Sequence, residues 1–156
     1  MPDTRRSFIK KSLSIVAYMT AATAGLLRSV NGFAAWPAEK FAQTGFDNAI
    51  TRVFGNQQIN KSKKVKLKLP RIAENGALVP VTVTSTLKDV ESIAILVEKN
   101  PVPLAASFTL SPEVEAFVSA RLKMAETCQV YAVVRAGGKL YSASKDVKVT
   151  IGGCGG

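Results

Sequence analysis

The chain has 156 residues, 47% of them hydrophobic, with 21 Lys and Arg against 11 Asp and Glu, a formal net charge of +10. It contains no histidine and only two cysteines. That excludes His-based metal sites, Ser-His and Cys-His nucleophile pairs and imidazole acid–base catalysis.

The N-terminus reads as a leader. Thr4-Arg5-Arg6-Ser7-Phe8-Ile9-Lys10 precedes a modestly apolar run from Leu13 to Leu27, followed by the small residues Gly32 and Ala34. This is the layout of a cationic region, an apolar region and a cleavage region. The pair Arg5-Arg6, with Phe8 and Lys10, resembles a twin-arginine export signal. An amphipathic helix or membrane anchor is the competing reading. Thr20, Thr23 and Gly25 make the run weak and short for a span. The expected organisation is a signal peptide over 1–34, a helix plus β-sandwich over 35–151 and a carrier arm over 152–156. Removing 1–34 takes away five bases and one acid, leaving sixteen bases against ten acids, or +6. A positive balance of that size attracts anions but does not by itself argue for nucleic acid.

After Trp36, spacings of three and four at Phe46, Ala49, Ile50, Val53 and Phe54 predict a short helix over about 37–54. Gly45 interrupts it and Gly55 stops it. Everything beyond reads as β-strand. Val65, Leu67 and Leu69 alternate with Lys64, Lys66 and Lys68, giving one buried and one cationic face. Pro70 and Glu74-Asn75-Gly76 are turn chemistry. The next strand runs from Leu78 to Thr86, with Pro80 placing it near a strand start or an edge. Strands follow at Val90–Val97, Leu104–Leu110 and Phe117–Met124, and then Cys128, Val130, Ala132 and Val134 form an inward face. Ala136-Gly137-Gly138-Lys139 is a hairpin turn into Leu140-Tyr141-Ser142, and Val147, Val149 and Ile151 form a last strand. Seven or eight short strands with frequent turns predict an all-β antiparallel sandwich.

The last five residues are Gly152-Gly153-Cys154-Gly155-Gly156. Glycine samples both signs of φ and cannot pack a core, so the tail predicts a thiol on a thin, flexible arm. Three extended residues past Ile151, Cys154 stands roughly 10 Å off the sheet. A thiolate is a good nucleophile and, once disulfide-bonded, a good leaving group, so a cysteine can accept and later release sulfur. No base or cation lies beside it in sequence, and the α-carboxylate of Gly156 disfavours the thiolate. Cys154 therefore reads as a covalent attachment point, with no cofactor and no metal. Gly152, Gly153, Gly155 and Gly156 keep the arm slim.

Cys128, on a strand face with Val130 and Ala132, reads as a small buried hydrophobe. Lys61, Lys63, Lys64, Lys66 and Lys68 either meet an acidic partner or anions, or are a solvated face that blocks edge pairing.

These features resemble the SoxY family of sulfur carriers in periplasmic thiosulfate oxidation. The matching pieces are Val65-Lys66-Leu67, Pro70 to Gly76, Val79 to Val83, Glu98 to Pro103, Arg121 to Met124, Val147 to Ile151, and the terminal Gly-Gly-Cys-Gly-Gly. The resemblance implies an immunoglobulin-like sandwich without enzymatic activity of its own, paired with a second small β-sandwich subunit, SoxZ. It implies that Cys154 holds sulfur intermediates for a c-type cytochrome, a sulfate-releasing hydrolase and a sulfane dehydrogenase, in the periplasm. Neither nucleic acid nor, after signal cleavage, membrane is an expected partner. Cys128 departs from the family pattern. Two other readings stand beside it: an exported structural or chaperone-like sandwich that forms an intermolecular disulfide through its tail, and a free-standing thiol oxidoreductase. The absence of a Cys-x-x-Cys pair counts against the latter.

Overall fold

A computed structural model describes residues 37–150. The export residues Arg5 and Arg6, and the arm residues Gly152, Gly153, Cys154, Gly155 and Gly156, lie outside the described residues. So does Ile151.

The predicted helix divides in two. A 3-10 turn at Ala38–Phe41 is followed by extended backbone, and helix α1 spans Phe46–Phe54. Gly45 is extended (ψ 156°) and its carbonyl accepts from Ala49 N at 3.0 Å, so it opens α1 as the N-cap. Gly55 ends the helix as expected, at φ 68°, with its N–H on the Thr51 carbonyl at 2.8 Å. Positive φ of this kind favours glycine at a helix stop.

Among the described residues nine strands follow: β1 (Ile59–Lys61), β2 (Val65–Lys68), β3 (Ile72–Ala73), β4 (Val79–Ser85), β5 (Val90–Val97), β6 (Leu104–Thr109), β7 (Phe117–Leu122), β8 (Cys128–Ala136) and β9 (Lys139–Val149). One sheet runs β1-β9-β8-β5-β6, with β3 also on β9; the other runs β2-β4-β7. All the long ladders are antiparallel. The short β1 and β3 are the exceptions. They pair in parallel with the two ends of β9, β1 against Leu140–Ser142 and β3 against Lys148 and Val149. Neither follows from periodicity, because segments of three and two residues carry no readable alternation. The segments around Leu140 and Val147 form one strand, paired without interruption to β8 from Lys139 to Val147.

Gly137 (φ 53°) and Gly138 (φ 70°) supply the two positive φ values of a two-residue hairpin between β8 and β9. Pro80 is the second residue of the central strand β4. It is tolerated because β2 pairs with β4 only from Thr82 to Ser85, leaving Pro80 opposite Arg121 of β7 alone.

Alternation builds the layer between the sheets. Val65 and Leu67, Val79, Val81 and Val83, and Val118 and Leu122 meet Ile93, Ile95, Val97, Cys128, Val130, Ala132, Val134 and Val147. A second apolar layer lies on the opposite face of the larger sheet. There Phe54 with Ala94, Leu96, Leu104, Val133 and Leu140 forms a cluster joined by Phe41, Phe46, Ile50, Val53 and Tyr131. The Phe46 and Tyr131 rings lie 4.9 Å apart, inclined at 39°. That is why Ile93–Val97 reads as an unbroken apolar run: the strand is buried on both faces.

Candidate functional site

The described residues that lead toward the predicted arm, here called its root, are the end of β9. Three elements grip it. On one side β3 pairs with it: Lys148 N donates to the Arg71 carbonyl at 2.8 Å and Thr150 N to the Ala73 carbonyl at 3.1 Å. On the other side Thr127 takes over where the β8 ladder ends. Its hydroxyl accepts from Val149 N at 3.0 Å and donates to the Val149 carbonyl at 3.3 Å. Beneath lies Gly76, whose carbonyl accepts from Met124 N at 2.7 Å. A Cβ at Gly76 would stand 2.6 Å from the Met124 carbonyl oxygen and 2.9 Å from Val149 Cγ1. Only glycine lets the two loops close on Val149 at that separation.

Asn100 sets this arrangement from a distance. Its side-chain amide donates to the Lys123 carbonyl at 2.7 Å and its oxygen accepts from Ala125 N at 2.9 Å. The β7–β8 connection is thereby held, and with it Thr127. Backbone hydrogen bonds at this end of the sheet are thus supplied by side chains where a neighbouring strand is missing. Sequence reasoning missed Asn100 and Thr127 as positioning residues. Asn100 was visible only as part of a strand stop, and no local pattern ties it to a loop 23 residues away.

Arg71 is distant from the arm along the chain, but β3 brings its backbone to that of Lys148. Two basic residues therefore stand together where the described part of the chain ends. Two exposed apolar side chains, Ile72 and Leu78, stand on either side of Gly76 along the chain. The end of β9 thus has cationic and exposed apolar groups close to it in the chain.

Cys128 is buried with the inter-sheet core, opposite Val147. Burial pushes its thiol above the ordinary value, against smaller lowering contributions from backbone hydrogen bonding at Lys99 and Glu98. A raised pKa and burial make a poor nucleophile. Among the described residues, no three His, Cys, Asp or Glu side chains gather closely enough to hold a metal ion. Nor is any helix among them long and apolar enough to cross a membrane.

The chain matches the family described as "Sulfur oxidation protein SoxY" over residues 50–154. Among solved structures it resembles the sulfur carrier protein SoxY from Chlorobium limicola f thiosulfatophilum. The identity is 46%, the TM-score is 0.62, and the match covers 67% of this chain and 96% of that one. A superoxide reductase (neelaredoxin) from Ignicoccus hospitalis matches at 19% identity and TM-score 0.51, covering 56% of this chain and 80% of that one. At that identity the likeness is one of fold alone. No curated protein matches the chain.

Proposed function

The chain belongs to the SoxY family of sulfur-oxidation proteins, and from that membership we propose that it carries sulfur covalently on Cys154 and presents it to partner enzymes. It is a carrier rather than an enzyme. The observation that carries the Cys154 assignment is the extent of the family match, which runs through Gly152 and Gly153 and ends on residue 154. The grip on β9 supports it. A carrier needs a fixed base, so that its cargo is delivered within a defined radius, and a slim tip that enters a partner's active site.

The chemistry follows from the thiol. A two-electron oxidation joins the Cys154 sulfur to the outer sulfur of thiosulfate, with the electrons passing to a c-type cytochrome and the thiol proton to solvent. Water then cleaves the terminal sulfonate as sulfate, catalysed by a hydrolase, and leaves a persulfide on Cys154. A sulfane dehydrogenase oxidises that remaining sulfur. Gly152, Gly153, Gly155 and Gly156 let the arm enter each site. Arg5 and Arg6 direct export to the periplasm by the twin-arginine route. A SoxZ-type sandwich subunit accompanies the chain, and because this route exports folded protein, the two travel bound together.

Intact-mass analysis tests the assignment. After incubation with thiosulfate and the cytochrome, the full chain gains a mass matching covalently bound thiosulfate. Cys154→Ser abolishes the gain and Cys128→Ser retains it. An adduct that persists in Cys154→Ser, or a disulfide homodimer with no thiosulfate-dependent adduct, overturns the reading.

A further inference from the structure

The sandwich has two outer faces, and only one is covered. The larger sheet lies under α1 and its apolar cluster. The outer face of β2-β4-β7 has no layer upon it among the described residues. Its side chains are Lys66 and Lys68 from β2, Pro80, Thr82 and Thr84 from β4, and Phe117, Ser119 and Arg121 from β7. The register sets them in rows: Lys66, Thr84 and Phe117; Lys68, Thr82 and Ser119; Pro80 and Arg121.

Three observations point to what this face meets. First, its charge is of one sign: β2, β4 and β7 contain Lys66, Lys68 and Arg121 and no acidic residue. Among the described residues the ion pair is Lys99–Glu126 at 3.5 Å, and it lies elsewhere, so these three cations are uncompensated. Second, Phe117 stands 54% exposed beside Thr84, in the row that continues to Lys66, a large apolar group on an otherwise polar outer face. An aromatic anchor with a charged surround is how protein interfaces are commonly built. Third, all three strands meet the arm root at one end. β2 leads to Arg71 and β3, β4 starts just after Gly76, and β7 leads through Met124 to Thr127. An occupant of the face therefore sits beside the exit of the arm. The four residues from Thr150 to Cys154 span about 13 Å when extended, which brings the thiol to a neighbour docked there.

We propose that the β2-β4-β7 face is the docking surface for proteins that receive or load the arm, and that those proteins present an acidic surface with an apolar socket for Phe117. The inference rests on the carrier reading and names the partner's chemistry. A second copy of the chain is disfavoured on this face, since like charges would oppose each other. Complementary charge also steers encounter, so association weakens as salt rises.

A polyglutamate peptide serves as the probe, titrated into the isotope-labelled full chain. The amide shifts are expected to centre on residues 64–68, 80–84 and 117–121, with affinity falling severalfold as salt is raised. Lys66→Glu with Lys68→Glu should weaken binding about tenfold, as expected for a few exposed charge pairs reversed, whereas Lys40→Glu with Lys139→Glu should weaken it less than about threefold. The same peptide tipped with a methanethiosulfonate links docking to the arm: the Cys154 thiolate attacks the sulfenyl sulfur, forms a disulfide and expels methanesulfinate. The tipped peptide should label Cys154 faster than the free reagent, and the Lys66→Glu/Lys68→Glu chain should lose that advantage while reacting normally with the free reagent. Equal losses in both double variants, or shifts centred off this face, overturn the proposal. So does tighter, face-dependent binding to phosphatidylglycerol vesicles, which would make the surface a membrane contact. Normal labelling by the free reagent in every variant keeps a failure of docking distinct from a failure of Cys154 as the carrier thiol.

Discussion

The two outer faces of the sandwich are made from similar alternating strands but have opposite fates. On the larger sheet, Ala94, Leu96, Leu104, Val133 and Leu140 point outward and are apolar, so α1 closes over them. On the smaller sheet, the outward positions are Lys66, Lys68, Thr82, Thr84, Ser119 and Arg121, and nothing covers them among the described residues. The identity of the outward residues at period two decides whether a sheet gains a third layer. The difference also divides the labour: one face commits its side chains to stability, and the other keeps them free for recognition.

Leu96→Ala should break the covered face. Leu96 is fully buried between β5 and α1, and truncation leaves a cavity under the helix. A loss of about 2–5 kcal/mol is expected, measured by denaturant unfolding. A loss below about 1 kcal/mol would mean that α1 contributes little to the fold.

Alkaline titration sharpens the same contrast. Burial raises both Cys128, in the inter-sheet layer, and Tyr131, under α1, above their ordinary values. Below about pH 8.5, the unfolded thiol's pKa, both groups are protonated in the folded and unfolded states and add no pH dependence. Above it the unfolded chain releases these protons first, the thiol and then the phenol, so stability falls as pH rises. Cys128→Ala should flatten the earlier part of that decline and Tyr131→Phe the later part, both seen in thermal melts from about pH 7 to 11. Unchanged slopes in both variants would show that other groups govern alkaline unfolding.

The smallest effect belongs to the bare face. Lys66→Gln with Lys68→Gln should change stability by no more than about 0.5 kcal/mol, because both side chains are exposed and unpaired among the described residues. A larger loss would make these lysines structural and weaken the division between the faces.

Much of the fold was legible in the residues. The alternation at Val65-Lys66-Leu67-Lys68, the paired glycines at 137 and 138 and the stop at Gly55 each encode a local geometry, and each forms as read. Cys128 as a core residue followed in the same way, from its parity with Val130 and Ala132. The root of the arm was not legible. Thr127, Asn100, Arg71 and Gly76 are ordinary loop residues in sequence, and what they do depends on which backbone they meet.

The sequence by itself determined the longer strands, their inward faces and the placing of one thiol among four glycines in the last five residues, because these depend on period, composition and local φ. Tertiary structure alone decided that β9 would be flanked by two parallel stubs and locked by Thr127, and that the lysines of β2 would share a face with Arg121. Those outcomes need partners brought together from up to 81 positions apart, as Ile59 and Leu140 are, and no local pattern records which distant backbone group will satisfy a given hydrogen bond.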